Sequence, residues 1–536
     1  MNISFLKKYG WMLFALMLPL GFVACSDSDE PLKQIETPED QPEGNQVSAF
    51  QNEKAYANFF AYNAMNDVYL WNQDITAAFK AWTILGDPIE AVKSARYKED
   101  GKDVDKWTQM TDSYTSMVSG TDGVATGTYG FGVKLYRKEQ GSSSVVAFIT
   151  YTYPDSPAEK AGLKRGDVIL EVNGTEMNTD NYYQALFQSA SVKVGVGTYF
   201  GQNVYSEVQK TCSITAVNMY EDPILITKVF DCGGKKVGYL HYTSFTFESS
   251  LGLYEACKQF KAEGISELIL DLRYNGGGYV FTEEALASML APEAEVKNKS
   301  VFETEIWNDE YMAYYKQQGT DLNTYFRTEF KQTHNNKMYN FNTSDANIGI
   351  SKIYALVTSS SASASEAVLV GLLPYMDIEV IGEQTHGKYC TGIMWKGEDW
   401  FQDLVDNYKK NKIDFAEKHP LFADWKKYIA DWGLYVMINR YADKNGNNPC
   451  MPDGLTPDVE AADCFEEPYQ LGDEREAMLH IALQRAGKTD LEHRQKSRSA
   501  MMVLPMDKQL PGKQKMLDGK LIYTGTLMPR AVQFPE

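Results

Sequence analysis

The stretch "TSSSASASEAVLVGLLPY", residues Thr358–Tyr375, places five serines among residues 359–365 and then turns apolar. The preceding segment "KIYALV" is typical of a buried strand, and "EAVLVGLL" is typical of a buried helix. Serine-rich linkers usually stand between polar segments, whereas this one stands between apolar ones. The stretch therefore predicts a strand, a tight turn and a helix, with the turn presenting a serine side chain.

A second motif, "VIGEQTHGK", follows the serine turn and ends at Lys388. The two motifs together resemble the signature of the C-terminal processing, or tail-specific, serine peptidases, in which a Ser-Ala-Ser-Ala-Ser-Glu turn precedes Gly-Glu-x-Thr-x-Gly-Lys. Lys388 follows Ser363 by 25 residues, the interval found in that family. The resemblance implies that Ser363 is the nucleophile, rather than Ser361 or Ser365, and that Lys388 is its base.

The chemistry of this pair depends on the protonation of the lysine. A serine hydroxyl is a poor nucleophile at neutral pH and needs a base that takes its proton. An amine can be that base only when neutral, so burial would have to lower its pKa from about 10.4 towards the working pH. His386 is an alternative base that would form an ordinary triad with Ser363 and a carboxylate elsewhere. The resemblance favours Lys388, because His386 falls at a variable position of the motif.

The glycine run of "DLRYNGGG", which ends at Gly278, is a candidate for the oxyanion hole. The oxyanion that forms on attack must be met by backbone N–H groups already aimed at it. The resemblance implies Gly277 and Ala364 as the two donors. The family's usual Asn-Pro-Gly-Gly stands here as Asn-Gly-Gly-Gly, with Gly276 in place of proline. The alternative is that this run is only a tight strand-to-helix turn.

The sequence departs from the family pattern at the position four residues after the lysine. Many relatives carry glutamine there, where it orients the amine, and this chain has Gly392. Another group must therefore orient Lys388, or the activity is reduced. Four polar residues lie nearby in the sequence and are candidates for this role: Glu366, Glu383, Thr385 and His386.

An earlier stretch, "SPAEKAGLKRGDVILEVNG", resembles a PDZ domain of the bacterial protease type, which we place at residues 119–218. Such a module binds an extended peptide as an added strand and holds its terminal carboxylate on backbone N–H groups. The resemblance implies Gly130, Phe131, Gly132 and Val133 as that carboxylate-binding loop. The alternative is a PDZ domain that only gates or braces the catalytic domain.

The remaining patterns predict an α/β multidomain protein. "NFFAYNAMNDVYLWNQDI" has apolar residues near helical spacing and predicts a helical N-terminal cap at residues 51–118. Alternating strands and helices over residues 219–490 predict a mainly parallel sheet, and the resemblance implies a ClpP/crotonase-like α/β serine protease domain there. A polar insertion is predicted at about 292–348, and residues 491–536 form a C-terminal tail.

The N-terminus carries the pattern of an exported lipoprotein. Lys7 and Lys8 precede a short apolar run that ends at Ala24, which predicts a signal peptide over residues 1–24. Cys25 then resembles the lipidated cysteine of bacterial lipoproteins, and residues 25–50 form a polar tether. Acidic residues after Cys25 resemble the surface-export signal of Bacteroidetes lipoproteins. We therefore expect a membrane anchor, at the surface or the periplasmic face of the outer membrane; a simple secretory signal is the alternative.

Composition limits the partners of the chain. A formal net charge of -20 disfavours a nucleic-acid ligand, which needs a basic face. No cysteine or histidine spacing is typical of a zinc site, and the resemblance implies neither a metal nor an organic cofactor. The predicted function is that of an exported serine endopeptidase acting on unfolded or tail-exposed polypeptides. The alternative is a catalytically weak or inactive peptide-binding lipoprotein that uses the PDZ domain and the protease fold as a scaffold. Gly392 favours this alternative, and the retained Ser363 and Lys388 oppose it.

Overall fold

The computed structural model describes residues 52–75, 86–139, 141–491, 509–510, 520–523 and 527. The predicted signal peptide, Cys25 and the tether lie outside the described residues, as does most of the tail. Within the described ranges, no helix has both the length and the apolar character needed to cross a membrane.

The first part of the chain, to residue 220, forms short helices and then mostly strands. Its elements are α1 (Glu53–Val68), α2 (Pro88–Ser94), β1 (Lys98–Glu99), β2 (Lys102–Asp103), β3 (Gln109–Thr111), α3 (Tyr114–Thr121), β4 (Val124–Thr128), β5 (Phe131–Arg137), β6 (Ser144–Thr152), α4 (Pro157–Lys160), β7 (Val168–Val172), β8 (Thr175–Asn178), β9 (Ser191–Gly197), β10 (Tyr199–Gly201), β11 (Val204–Tyr205), β12 (Lys210–Thr215) and β13 (Val217–Tyr220).

The second part alternates strands and helices. Its elements are β14 (Ile224–Cys232), β15 (Lys235–Tyr242), α5 (Ser249–Glu263), β16 (Glu267–Asp271), β17 (Gly277–Tyr279), α6 (Val280–Leu290), α7 (Glu293–Lys297), β18 (Val301–Trp307), α8 (Asp309–Gln318), β19 (Asn323–Tyr325), β20 (Glu329–His334), β21 (Lys337–Asn342), β22 (Lys352–Val357), α9 (Ala364–Leu372), β23 (Asp377–Gly382), β24 (Cys390–Lys396), α10 (Gly397–Lys410), α11 (Phe415–Lys418), α12 (Trp425–Tyr428), β25 (Gly433–Ala442), β26 (Val459–Glu460), α13 (Ala477–Arg485), β27 (Gln509–Leu510) and β28 (Lys520–Ile522).

The N-terminal helix α1 packs its aromatic residues into the main core. Asn52 caps the helix by accepting a hydrogen bond from the Ala55 amide at 2.9 Å. Phe59 and Phe60 are buried, and the Phe59 ring lies 4.0 Å, centroid to centroid, from that of Phe422. The predicted N-terminal helix is present and its aromatic residues are core residues, while the region 51–118 also contains the short strands β1, β2 and β3.

A seven-stranded antiparallel sheet forms the region predicted as a PDZ domain, in the order β12-β9-β7-β8-β6-β5-β27. Its core is aliphatic and includes Ile149, Ile169 and Val194. The outermost strand, β27, comes from the C-terminal tail: Leu510 pairs with Leu135 on β5. The tail therefore contacts the edge strand that follows the predicted carboxylate-binding loop.

A six-stranded sheet forms the centre of the second part, in the order β14-β15-β16-β22-β23-β26. All neighbours from β15 to β26 are parallel, and β14 is antiparallel at one edge. The predicted mainly parallel sheet is confirmed. The carboxyl ends of parallel strands meet at one edge, where α/β proteins place their sites. Here β16 leads to the glycine run, β22 to the serine turn and β23 to the lysine motif.

The second sheet of this part mixes strands that are distant in sequence, in the order β17-β28-β24-β25-β18-β19, with β3 also paired to β25. The tail strand β28 is parallel to both of its neighbours, β17 and β24. It therefore lies between the strand that starts at Gly277 and the strand that follows the lysine motif. Two strands of the segment 292–348, β18 and β19, also belong to this sheet, while β20 and β21 form a separate hairpin.

Two buried carboxyl groups give the fold a dependence on pH. Burial raises the pKa of Glu283, on α6, and of Glu303, on β18, well above the usual range. When a carboxyl group has a higher pKa in the folded state than in the unfolded state, its contribution to stability is complete below the unfolded-state pKa. That contribution is lost as the pH rises through the folded-state pKa. We expect Glu283→Gln to increase the free energy of unfolding at pH 8 by about 1–2 kcal/mol and to flatten its fall between pH 5 and pH 8.

Denaturant titration of the full chain at several pH values measures this effect. The exposed Glu255 provides a control, because Glu255→Gln should leave the pH dependence as it is in the wild type. A Glu283→Gln variant with an unaltered pH dependence would contradict the assignment.

Candidate active site

Ser363 occupies a strained turn between β22 and α9. Its backbone has φ 64° and ψ −115°, a left-handed conformation that costs a non-glycine residue about 1–3 kcal/mol. Strained strand-to-helix turns of this kind present the nucleophile in other serine hydrolases. Neighbouring bonds hold the turn: the Ser361 hydroxyl donates to the carbonyl oxygen of Leu272 at 2.8 Å. The Ser363 side chain is fully buried.

Glu366 joins the serine turn to the lysine motif. Its Oε2 accepts hydrogen bonds from the backbone amides of Ser363 at 2.8 Å and Lys388 at 2.9 Å. Its Oε1 accepts from the Thr385 hydroxyl at 2.5 Å and from the Gly387 amide at 2.7 Å. Burial raises the pKa of this carboxyl, although all four donors favour its ionised form. The carboxyl group thus fixes the main chain of both motifs in one place.

Lys388 brings its amine to the serine hydroxyl. Lys388 Nζ lies 3.3 Å from Ser363 Oγ, and the lysine side chain is fully buried. The Trp107 ring lies beside the amine, with its centroid 5.8 Å from Nζ. The backbone carbonyl of Lys388 accepts a hydrogen bond from the Tyr441 hydroxyl at 3.0 Å. The structure therefore brings the two residues of the predicted pair into contact.

A tyrosine that the sequence did not indicate also contacts the amine. Tyr435, on β25, places its hydroxyl oxygen 2.9 Å from Lys388 Nζ. Among the four sequence candidates, Glu366 accepts from main-chain amides and Thr385 donates to Glu366, as described above. Glu383 accepts from the Ser359 amide at 3.4 Å, and His386 lies against Trp107. No motif marks Tyr435, because only the pairing of β24 with β25 brings it near the lysine.

The glycine run lies directly against the serine turn. The backbone carbonyl of Asn275 accepts hydrogen bonds from the Ala362 amide at 3.1 Å and from the Ser365 hydroxyl at 2.9 Å. Ala364 is the first residue of α9, where a backbone amide has no partner within the helix. The Gly277 amide donates to Asn275 Oδ1 at 2.9 Å. Of the two predicted donors, Gly277 is thus engaged by a side chain of its own loop.

Comparison with known proteins identifies both domains. Residues 236–461 match the model of peptidase family S41, and residues 148–195 match that of a PDZ domain. The chain therefore contains an S41 peptidase domain and a PDZ domain. The predicted family and fold class are therefore confirmed, with a PDZ domain joined to an S41 protease domain.

Two curated proteases match parts of the chain. A carboxyl-terminal-processing protease of Picosynechococcus sp. is 30% identical over 129 residues, covering 23% of this chain and 30% of that protein. A CtpA-like serine protease of Staphylococcus aureus is 27% identical over 267 residues, covering 50% of this chain and 46% of that protein. The chain thus spans half or less of the length of the curated relatives it matches.

A solved structure described as an S41 protease from Bacteroides fragilis shares the fold. It superposes with a TM-score of 0.59 at 22% sequence identity, covering 84% of this chain and 98% of that one. At this level of identity the likeness concerns the fold.

Two histidines of the S41 domain differ in their surroundings, because the His386 side chain is exposed and His241 is fully buried. The pKa of His386 is lowered by partial desolvation from the surrounding protein and by Lys106 and Lys388, and its Nε2 lies 3.4 Å from the indole nitrogen of Trp107. Burial lowers the pKa of His241 to about 4. Neither ring nitrogen of His241 has a hydrogen-bond partner among the described residues. His241 is therefore a core residue, but its polar atoms are unsatisfied.

The predicted carboxylate-binding loop opens the PDZ strand β5. The Gly130 amide donates to the Thr128 hydroxyl at 3.0 Å, and a Cβ atom at Gly130 would come within 2.2 Å of the Ser156 Cβ. Phe131 begins the strand and pairs with Thr152 on β6. Glycine is thus needed at position 130, and its amide is already engaged.

A buried ionic cluster joins the PDZ domain to the S41 domain. Arg165, in the PDZ domain, donates to Asp463 Oδ1 at 2.6 Å and to the Tyr274 hydroxyl at 2.6 Å. Arg273 donates to Glu476 Oε1 at 2.6 Å and, through Nε, to Asp271 at 2.9 Å. Because Arg273 lies just before the glycine run, this cluster fixes that run relative to the PDZ domain.

Proposed function

We propose that the protein is a serine endopeptidase that cleaves unfolded or tail-exposed polypeptides through a Ser363/Lys388 dyad. The observation that carries the proposal is the 3.3 Å contact between Lys388 Nζ and Ser363 Oγ on a strained turn. A neutral amine at this distance can take the hydroxyl proton, and the buried setting disfavours the charged ammonium.

The proposed reaction proceeds through an acyl-enzyme. Ser363 Oγ attacks a peptide carbonyl carbon while its proton passes to Lys388 Nζ. The resulting oxyanion is met by the Ala364 amide at the start of α9 and by the Gly277 amide, which first exchanges its bond to Asn275 for one to the substrate. Lys388 then protonates the leaving amine, and water hydrolyses the ester. The residues of the site carry out these steps without a metal or an organic cofactor.

A turnover comparison tests this function. The full chain is incubated with a reduced and alkylated protein beside its Ser363→Ala and Lys388→Ala variants, and new amino termini are counted. Turnover in the wild type and its loss in both variants are expected. Equal, negligible turnover in all three would reject the enzyme and favour a scaffold. Gly392 favoured the scaffold because the residue that orients the lysine was missing. The Tyr435 hydroxyl contacts the amine instead, which weakens this argument.

We further propose that the PDZ domain captures the C-terminus of the substrate. An added peptide strand would lie along β5, with its carboxylate at the loop Gly130–Val133. The Gly130 amide is engaged, so the proposal depends on the amides that follow it. The strand β27, which pairs with β5 at Leu135 and Tyr136, would compete for the same edge.

Peptide binding measures this capture. We expect a peptide with a free carboxylate to bind at least about 10-fold more tightly than its amide, because a carboxylate accepts stronger hydrogen bonds from backbone donors. Equal affinities would remove carboxylate capture from the mechanism and leave the PDZ domain a bracing role.

We propose, finally, that Cys25 is lipidated and anchors the protein to the outer membrane, with the tether of residues 25–50 extending the protease from it. Support comes from the sequence alone, through the apolar run that ends at Ala24 and the acidic residues that follow Cys25. A Cys25→Ser variant should move from the membrane fraction to the soluble fraction, and unchanged membrane association would contradict the anchor.

A further inference from the structure

Tyr435 makes two hydrogen bonds that define the direction of its hydroxyl group. Its oxygen lies 2.9 Å from Lys388 Nζ, and its O–H donates to the backbone carbonyl of Leu521 at 2.9 Å. A hydroxyl has one proton and two acceptor lone pairs. Because the proton is directed at Leu521, the oxygen accepts an N–H from the lysine.

Gly392 makes room for this tyrosine. A Cβ atom at position 392 would come within 2.5 Å of the Tyr435 ring, closer than van der Waals contact allows. The glutamine that many family members carry at this position is therefore incompatible with Tyr435 in its present place. The missing glutamine and the unexpected tyrosine are two parts of one arrangement, in which the group beside the amine comes from the adjacent antiparallel strand.

The tyrosine is well fixed and stays neutral. Tyr435 is fully buried, and burial raises the pKa of its hydroxyl well above the usual range. Its hydrogen-bond acceptor, Leu521, lies on the tail strand β28, which is held between β17 and β24. The C-terminal tail therefore takes part in the site, since it fixes the hydroxyl that contacts the amine.

We propose that Tyr435 is the positioning residue for Lys388, in the role that glutamine fills in relatives. A neutral amine has two N–H bonds and one lone pair. With one N–H held by the Tyr435 oxygen, the lone pair can be directed at Ser363 Oγ, 3.3 Å away. This inference rests on the proposed peptidase function and assigns the residue that orients its base.

The pH–rate profile is the readout that separates positioning from a structural role. A hydrogen bond to an ammonium group is stronger than one to a neutral amine, so removing the tyrosine oxygen disfavours the ammonium form. The ionisable groups around this site include Glu366, whose carboxylate accepts from the Lys388 amide, Cys390 and His386, which interact electrostatically with Lys388, and Asp105, which interacts with Tyr435. Tyr435→Phe changes none of these groups.

The test compares Tyr435→Phe with Tyr441→Phe in the full chain. Each substitution removes a buried hydroxyl on β25 next to Lys388. The Tyr441 hydroxyl described above donates to the backbone carbonyl of Lys388, whereas the Tyr435 hydroxyl contacts its amine. We expect Tyr435→Phe to lower kcat by 10- to 100-fold with KM within twofold, and to move the midpoint of the acid limb down by at least 0.5 pH unit, as order-of-magnitude values. Tyr441→Phe should leave that midpoint in place.

A rescue experiment gives a second readout. Tyr435→Ala removes the ring that a side chain at position 392 would meet, and the Met437 methyl group, which is equally close at 2.5 Å, is the end of a flexible side chain that can shift. Adding Gly392→Gln to that variant should restore at least part of the lost kcat. If the wild type is active and Tyr435→Phe has the same pH–rate profile, this inference alone is overturned. The same holds if Tyr435→Phe and Tyr441→Phe lose kcat equally and share one acid-limb midpoint. A wild type without Ser363-dependent turnover would instead overturn the proposed function, and the inference with it.

Discussion

Replacing Lys388 by methionine should lower kcat by at least about 10³-fold while the chain stays folded. Methionine nearly matches the length of the lysine side chain and removes only the base, so Ser363 keeps its strained turn and its contacts to Glu366. An unassisted serine hydroxyl is a poor nucleophile near neutral pH. The residual rate would come from substrate binding and from the oxyanion donors.

Steady-state kinetics on an unfolded protein measure this loss. Lys258, an exposed lysine on α5, provides the matched control, because Lys258→Met changes the same chemical group away from the site and should keep wild-type kcat. A Lys388→Met variant that retains more than a tenth of the wild-type kcat would show that another residue, such as His386, is the base.

The second large effect concerns stability. Arg273 is fully buried and contacts Asp271, Glu476 and Asp463 at 2.9, 2.6 and 3.3 Å. Arg273→Met would leave these carboxylates without one of their cations, which typically costs about 3–5 kcal/mol when one partner of a buried pair is removed. We also expect turnover to fall, because Arg273 lies next to the glycine run.

The loss should depend on pH with a defined sign. Although burial opposes it, Arg273 and Arg165 hold the pKa of Glu476 below its usual range, and Arg165 and Lys134 do so for Asp463. A depressed pKa gives stability that is present above the unfolded-state pKa and is lost as the pH falls through the folded-state value. The difference between the wild type and the variant should therefore be largest near neutral pH and shrink in acid.

Denaturant unfolding at pH 7 and at a series of lower pH values down to about pH 2 checks this prediction, because the folded-state pKa of Asp463 lies well below the usual range. Arg475 pairs with Asp473 at 2.7 Å near the surface, and Arg475→Met should cost at most about 1 kcal/mol, as partly exposed ion pairs do. An Arg273→Met variant as stable as this control would show that the cluster contributes little to the fold.

The sequence was most informative where the chemistry is local. The serine turn, the lysine motif and the PDZ stretch are each a continuous run of residues in which turn-forming and apolar positions alternate in a recognisable order. Their approximate positions in the fold follow from parallel strands ending at one edge. The family and the mixed helix-and-sheet fold could be predicted for this reason.

The sequence was least informative where distant strands meet. Tyr435 reaches Lys388 only through the antiparallel pairing of β24 with β25, and Leu521 reaches Tyr435 only through the tail strand β28. Neither pairing has a local sequence pattern. In the buried ionic cluster, Arg165 and Arg273 likewise meet Asp463, which lies 298 and 190 positions further along the chain. In the sequence these charges look like ordinary surface charges.

Covalent labelling of Ser363 tests the central claim most directly. The full chain is treated with a fluorophosphonate, which reacts with activated serines, and the adduct is located by peptide mass mapping. We expect rapid modification at Ser363 in the wild type, at least about 10²-fold slower modification in Lys388→Met and none at this site in Ser363→Ala. Equal labelling rates in the wild type and Lys388→Met, or an adduct on a different serine, would contradict a Ser363/Lys388 dyad.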